Sequence, residues 1–457
     1  MTKDLVHIGC GAGFAGDRKD AGGPVVDTLA TRDGPKYLIF ETLAERTLAL
    51  AQKQKQRDPE RGYSPFLEAY VRPVLKRCLD NNIRIVSNFG AANPAGGARR
   101  ILEIAREIGC SIPRIAVVSG DDLLTVMDEK EIRAHKTIEG LPIGDGIVAA
   151  NTYIGARPIA EALAGGADIV VVGRTTDPAL VLGPLIHEFG WTEEDWDTLA
   201  AGTLAGHLLE CGAQVTGAYF ADPGFKDVPD LAHVGFPIAT ISREGAIRIG
   251  KADNTGGCVT PATVKEQILY EMHDPSAYLT ADVVLDITGV SVEQETENVV
   301  AVSGARGKAR PDTLKTTISF DGGWLGEAEI SYAGPNALAR AELAKEVLSE
   351  RARERGSNAE YRFDIIGTSS TFDGGAAPYP GAGRHAPNGD YRVRAAVSCH
   401  SREVAEDLAD EVLSLYCSGP AGGGGFRRNI TAQIHTASIL VDRNKLSPSV
   451  QYLGAEA

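Results

Sequence analysis

His207, Glu210 and Cys211 stand at i, i+3 and i+4 in the stretch His207-Leu208-Leu209-Glu210-Cys211. On a helix those spacings share one face. Imidazole, carboxylate and thiolate could move a proton, could pair a cysteine nucleophile with a histidine base, or could ligate a transition metal if a fourth ligand or a water completed the set. Ordinary packing is the alternative, because the residues before them are rich in Ala and Gly. Glu41 ends an apolar run and could act as a general acid or base, while Glu41 and Glu45 could equally be carboxylates held by the start of a helix. Asp121 and Asp122 are adjacent, so one can cap a helix while the other serves as a base or holds a metal. Asn88 and Asn93 flank Phe89-Gly90-Ala91-Ala92, where neutral amides could bind a carbonyl or carboxylate, although Asn93-Pro94 also reads as a turn. Arg174, in Arg174-Thr175-Thr176-Asp177, suits a carboxylate or phosphate clamp, with Thr176 or Asp177 capping the next helix.

Two glycine clusters add anion-binding options. Gly11-Ala12-Gly13-Phe14-Ala15-Gly16 fits GxGxxG and precedes Glu41, the pattern in which glycines admit a pyrophosphate and an acid holds a ribose. A helix should open inside that motif, yet Asp17 to Pro24 contains Gly-Gly and Pro, which interrupt one. The other reading is a tight, substrate-facing loop with Gly11, Gly13, Asp17 and Arg18 beside the ligand. Near the end, Gly422 to Gly425 followed by Arg427 and Arg428 could form a backbone nest with a cationic clamp, using Gly423, Gly424 and Arg427, or simply a flexible connection. It lacks GxxxxGK[ST], so it is not a P-loop.

These residues need a frame. Short β-branched runs at Leu5–Ile8, Tyr37–Phe40, Ile83–Val86, Arg114–Val118, Gly146–Ala150 and Asp168–Val172 alternate with helical patterns at about Leu43–Lys55, Phe66–Asn81, Ala98–Ile108 and Ala179–Phe189. That alternation predicts an α/β fold: a mostly parallel sheet with helices on both faces. Ligands of such sheets bind beyond the carboxyl ends of the strands, where Glu41, Asn88, Asp121, Asn151 and Arg174 all fall. The second half changes rhythm. Strand-like runs at Ile238–Ile249, Val283–Ile287 and Thr313–Phe320 lead to a βαββαβ order over Ala328–Leu440, which is that of a ferredoxin-like α+β unit. A Pro/Gly/Asp cluster at Asp222–Asp230 suggests a parallel α/β domain over 1–225 and an α+β domain over 226–457. Residues 367–390 should form a long loop.

The 457 residues carry a net charge of -15, which disfavours nucleic acid as a partner. No apolar run is long enough for a bilayer, and the start has no signal-peptide pattern, so a cytoplasmic protein is expected, away from membranes. None of the seven cysteines forms a CxxC pair, which argues against a structural zinc site or a disulfide framework. No biotin, pyridoxal phosphate or P-loop signature appears; cofactor-independent chemistry is the default, with a divalent metal left open.

HIGCGAGFAGDR, YLIFETLAERTLALAQ, RIVSNFGAANP, RIAVVSGDDL, VVGRTTDPALVLGPLIHEFGW, GHLLECGAQVTG and SGPAGGGGFR together resemble the acyclic terpene utilisation (AtuA) family, from about residue 5 to residue 440. The resemblance implies catabolism of branched-chain or terpenoid carboxylic acids as coenzyme A thioesters. Many relatives carry a further C-terminal domain that this chain lacks, which raises a separate small protein subunit as a partner. The leading expectation is therefore a lyase or hydratase, working as a homo-oligomer, that takes a proton beside a carbonyl. Glu41, Asp121 or His207 would be the base, with Cys211 beside it. Asn88, Asn151 and loop amides would hold the oxyanion, and Arg174, Arg427 and Arg428 the carboxylate or phosphate. The alternatives are an NAD(P)-dependent oxidoreductase using Gly11, Gly13, Gly16 and Glu41, and a noncatalytic subunit needing a small partner.

Overall fold

The computed structural model describes residues 4–356, 359–368 and 389–455. The chain forms two compact units: residues 1–143, 147–319 and 436–457 make the larger, and 144–146 with 320–435 the smaller. Asp222–Asp230, where composition suggested a boundary, lies inside the larger unit.

The larger unit is built on a ten-stranded sheet. Its strands include β1 (Leu5–Ala12), β2 (Lys36–Phe40), β3 (Ile83–Ser87) and β4 (Arg114–Ser119). After β5 (Ile147–Thr152) come β6 (Ile169–Val172), β7 (Pro237–Ser242) and β8 (Ile247–Lys251). The order β1-β2-β3-β6-β4 is parallel throughout. These strands are almost wholly buried, as near-continuous Ile/Val/Leu runs should be when both faces are covered. Antiparallel strands extend both sides. Ser449–Gly454 pairs with β4. On the other side β7 pairs with β1, β8 with β7, and the hairpin Ser291–Thr296/Val299–Ser303 follows.

Several expectations change here. The run at Gly146–Ala150 forms β5, but β5 pairs with the strand Thr313–Ala333 outside the main sheet. A buried Thr152–Thr316 hydroxyl pair at 2.7 Å ties them, over a core containing Leu123, Ala150, Ile318 and Ile439. The runs between 237 and 303, expected in a second domain, continue the first sheet. Ile238–Ile249 becomes two strands because Gly245, at φ +83°, turns the chain. The helix expected over Phe66–Asn81 is also divided, into Leu67–Val71 and Leu75–Asp80, around Pro73.

The smaller unit keeps the βαββαβ order. Helix Ala337–Arg355 follows Thr313–Ala333, strands Glu360–Ile366 and Asp390–Cys399 come next, then helix Arg402–Ser418 and strand Gly424–Asp442. In the sheet, Asp390–Cys399 lies between Glu360–Ile366 and Thr313–Ala333, antiparallel to both, and Gly424–Asp442 flanks Thr313–Ala333. Its core joins Ile330, Tyr332 and Val393 to Leu348 and Val412 of the two helices. Most of the long loop expected at 367–390, namely 369–388, lies outside the described residues.

Candidate functional site

Parallel register brings the polar strand ends together. Phe40 of β2 pairs with Ala12 and Ser87, and Val172 of β6 with Val118 of β4, so Glu41, Asn88, Arg174 and Asp121 follow their strands along one edge of the sheet. Glu41 is buried. Its Oε1 accepts from Leu43 N at 3.0 Å and from Asn88 Nδ2 at 2.6 Å. Asn88 is fully buried, and its Oδ1 accepts from Thr42 N at 2.7 Å. Asn88 therefore braces Glu41. Burial, then the neighbouring Asp177 charge, hold the Glu41 carboxyl well above the usual range, although Arg174 opposes them.

Arg174 is buried at the centre of the edge. It donates through Nη1 to Leu43 O at 2.7 Å and through Nη2 to Asp177, and it lies 4.1 Å above the Tyr153 ring. Burial opposes its charge, but Asp177, Tyr153 and Glu41 more than offset this. Its backbone N–H donates to Asp121 Oδ2 at 2.9 Å, which also accepts from Asn151 Nδ2 at 2.8 Å. Burial pushes Asp121 up to about 6. Asn151 Oδ1 is buried without a partner. Asp122 caps the short helix Leu123–Thr125. Thus Asp121 and Asn151 support the Arg174 backbone, and Asn151 uses its amide on Asp121. About 38% of the Asp177 side chain is open, with the charges of Arg174, Glu45 and Glu271 acting on it.

Helix Trp196–Glu210 packs beside this cluster. A Cβ on Gly206 would fall 2.6 Å from Pro178 Cα, so this helix approaches the start of helix Ala179–Phe189 at backbone distance. That approach carries His207 and Glu210 to Asp177. His207 Nδ1 lies 2.8 Å from Glu210 Oε1, and both side chains are buried. His207 Nε2 and Glu210 Oε2 have no protein partner. Burial pushes Glu210 up to about 7 against the pull of His207, with Asp177 and Glu271 adding to the rise. Burial pulls the His207 imidazole down, but Glu210 more than offsets it and the net shift is upward. Tyr278 packs on His207, with ring centroids 5.8 Å apart. Burial, then the Glu210 and Asp177 charges, keep its phenol protonated.

The helix ends at Glu210, and Cys211 is its C-cap. Burial and the Glu210 charge push its thiol up, although the Gln267 side chain opposes them. That is the opposite of an activated nucleophile. Among the described residues no group of three or more His, Cys, Asp or Glu side chains is placed to hold a metal.

The glycine loop is filled by protein. A Cβ on Gly11 would meet the Phe40 ring at 2.4 Å, and one on Gly13 the Cys211 carbonyl carbon and Gly212 nitrogen, both at 2.4 Å. Gly13 N donates to Asp17 Oδ2 at 2.8 Å, and the next helix starts only at Gly22. This is not the helix-opening turn that receives a pyrophosphate, and Glu41 is held by Leu43 and Asn88. Arg18 pairs with Asp20 and donates to Ala232 O and Val234 O. Asn93 is occupied as a helix cap: Oδ1 accepts from Gly96 N, and Nδ2 donates to Pro59 O and Arg61 O. Gly423, Gly424 and Arg427 lie in the smaller unit, where Gly424 opens a strand and Arg427 is exposed on it.

Several residues of the site escaped the sequence reading. Tyr153 stands one position past the end of β5 and donates to Glu45 Oε1 at 2.5 Å. Glu45 also meets Lys315 at 3.5 Å. Tyr278 and Glu271 come from a stretch assigned to another domain. The signal that could have found Tyr153 is its place directly after Asn151-Thr152 at a strand end.

The model of the family described as acyclic terpene utilisation family protein AtuA matches residues 6–452. Neither a curated protein nor a solved structure matches the chain. No helix among the described residues is long and apolar enough to cross a membrane.

Proposed function

Because the chain belongs to the acyclic terpene utilisation family AtuA, with a role in using acyclic terpenes, we propose that it is an enzyme of terpenoid acid breakdown that removes a proton beside a carbonyl. The proton would come from an acyl-CoA thioester, and the reaction would be of the lyase or hydratase type. One observation carries this reading: a buried His207–Glu210 pair, 2.8 Å apart, whose remaining polar atoms Nε2 and Oε2 are buried without a protein partner. A base titrating near neutrality is the best compromise between being deprotonated and being basic, and burial has moved Glu210 to about 7.

The roles follow from the contacts. Glu210 takes the proton, and His207, on its Oε1, orients the carboxylate and keeps its pKa from rising further. Tyr278, a protonated phenol beside His207, donates to the carbonyl oxygen as charge develops there. Glu41, whose carboxyl burial raises well above its usual range, returns a proton to the product or leaving group. Arg174 orients Asp177 and the Leu43 carbonyl rather than clamping the substrate, since both face its guanidinium. The carboxylates around it make this end of the sheet acidic, which disfavours a thioester's phosphates there.

The test is deuterium incorporation from D2O into a panel of branched acyl-CoA thioesters, followed by mass spectrometry. Exchange at the carbon beside the thioester, lost in Glu210→Gln, is the expected result. Tight reduced-nucleotide binding with no exchange would favour an oxidoreductase instead.

A further inference from the structure

Helix Glu45–Arg57 touches the segments that follow three strands, yet little apolar surface fixes it there. Glu45 Oε1 accepts from the Tyr153 hydroxyl after β5, Gln52 hydrogen-bonds Asp122 after β4, and Lys55 Nζ donates to Ala92 O at 2.7 Å after β3. Four of its thirteen residues, Leu48, Ala49, Ala51 and Gln52, are buried. In helix Ala179–Phe189 nine of eleven are. Leu48 and Ala51 join Leu43, Ala91 and Ala92 in a cluster of five that is separate from the main core. An element with so few buried apolar contacts opens at a lower free energy than the core beneath it.

Both ends of the helix are pinned to one loop. Thr42 N and Oγ1 donate to Asn88 Oδ1 at 2.7 and 3.2 Å. Past the helix, Asn93 Nδ2 donates to Pro59 O and Arg61 O, and Ala92 N donates to Gly62 O at 2.9 Å. Between these anchors, Ala44 and Asp58 flank the helix in extended conformation. Rotation at such element-terminal residues swings the piece between them while the anchors hold still. The piece that would swing carries contacts to the site. Leu43 N donates to Glu41 Oε1 and Leu43 O accepts from Arg174 Nη1, while Glu45 holds Tyr153, whose ring lies on Arg174. With these groups in place Arg174 is 2% exposed.

We propose that residues 43–58 form a lid that lifts as a unit from Glu41 and Arg174 to admit the substrate, with Glu45 as its latch. This rests on the strand ends being the reaction site, as in the reading above. Glu45 is the latch because Tyr153 and Lys315 both hold it, at 2.5 and 3.5 Å.

The experiment combines amide hydrogen exchange with phenylglyoxal labelling, both resolved by peptide mass spectrometry, on the full-length wild type, Glu45→Ala and Tyr153→Phe. Thermal unfolding verifies the fold of each variant. In the wild type, amides of 48–57 should exchange through an opening that leaves β3 and β6 protected. Glu45→Ala should raise both that exchange and Arg174 labelling by the same factor, about threefold to tenfold for one charged hydrogen bond. Arg353, whose side chain is 71% exposed, should label at an unchanged rate. Tyr153→Phe should shift both readouts in the same direction by less, since Lys315 still holds Glu45. Three results overturn the lid: exchange of 48–57 only together with β3, no change in either variant, or faster helix exchange with Arg174 labelling unmoved. Deuterium uptake into the thioester scores the underlying reading separately. Its absence from a wild type whose helix opens as described strikes that reading, whereas uptake with a helix that never opens alone strikes the lid.

Discussion

Replacing Asp121 with Asn should remove a pH dependence that one buried carboxyl imposes on folding. Burial raises the Asp121 carboxyl from 3.8 to about 6, so the folded state binds its proton more tightly than the unfolded chain does. A raised pKa makes its contribution fully present below the unfolded value and lost as pH rises through the folded one. Integrating between those two values, the loss is about 1 kcal/mol by pH 4.5 and about 3 kcal/mol by pH 7.5. Wild type should therefore lose about 2 kcal/mol relative to Asp121→Asn between these pH values. Asn can still accept from Arg174 N and Asn151 Nδ2 through its one oxygen, so the strand-end geometry survives. Urea denaturation of both proteins at pH 4.5 and 7.5 measures the difference, with other titrating groups cancelling between them. A stability difference that is the same at both pH values would refute the reasoning.

Other consequences follow from the same geometry. Gly13→Ala places a methyl 2.4 Å from two backbone atoms that no side-chain rotation can move; a loss of about 1–3 kcal/mol in urea unfolding is expected. Arg174→Lys keeps the charge but cannot reach both Leu43 O and Asp177 while covering Tyr153. It should cost about 3 kcal/mol in chemical denaturation, as broken buried pairs do. Cys211 should react with iodoacetamide at pH 8 far more slowly than a free thiol, and Cys211→Ser should retain proton exchange, because burial and Glu210 hold the thiol protonated.

Much of the site was legible from strand ends alone. Glu41, Asp121, Arg174 and the spacing of His207 and Glu210 could be read because buried parallel strands are uniform in composition and their polar terminators stand out. What the sequence did not disclose was pairing. The run that became β5 has the same β-branched content as its neighbours, and nothing local says that it leaves the sheet for Thr313–Ala333. The antiparallel strands from Pro237 onward were assigned to another domain for the same reason, which hid Tyr278 and Glu271 from the site. Asn93 was open to two readings because Asn before Pro suits a ligand loop and a helix cap alike, and three hydrogen bonds decide for the cap. The GxGxxG spacing was matched while its surroundings were not, since packing against Phe40 and Cys211 needs glycine as much as a pyrophosphate does.

The central claim is that Glu210, held near neutrality beside His207, moves the substrate proton. The most direct measurement is the pH dependence of deuterium exchange beside the thioester in wild type and Glu210→Gln. A base must be deprotonated to act, so the wild-type rate should rise with pH and level off above about 7. The variant should be slower by about 10²- to 10⁴-fold and lose that inflection. A wild-type rate independent of pH from 5.5 to 8.5, or a variant that exchanges as fast, would contradict the account.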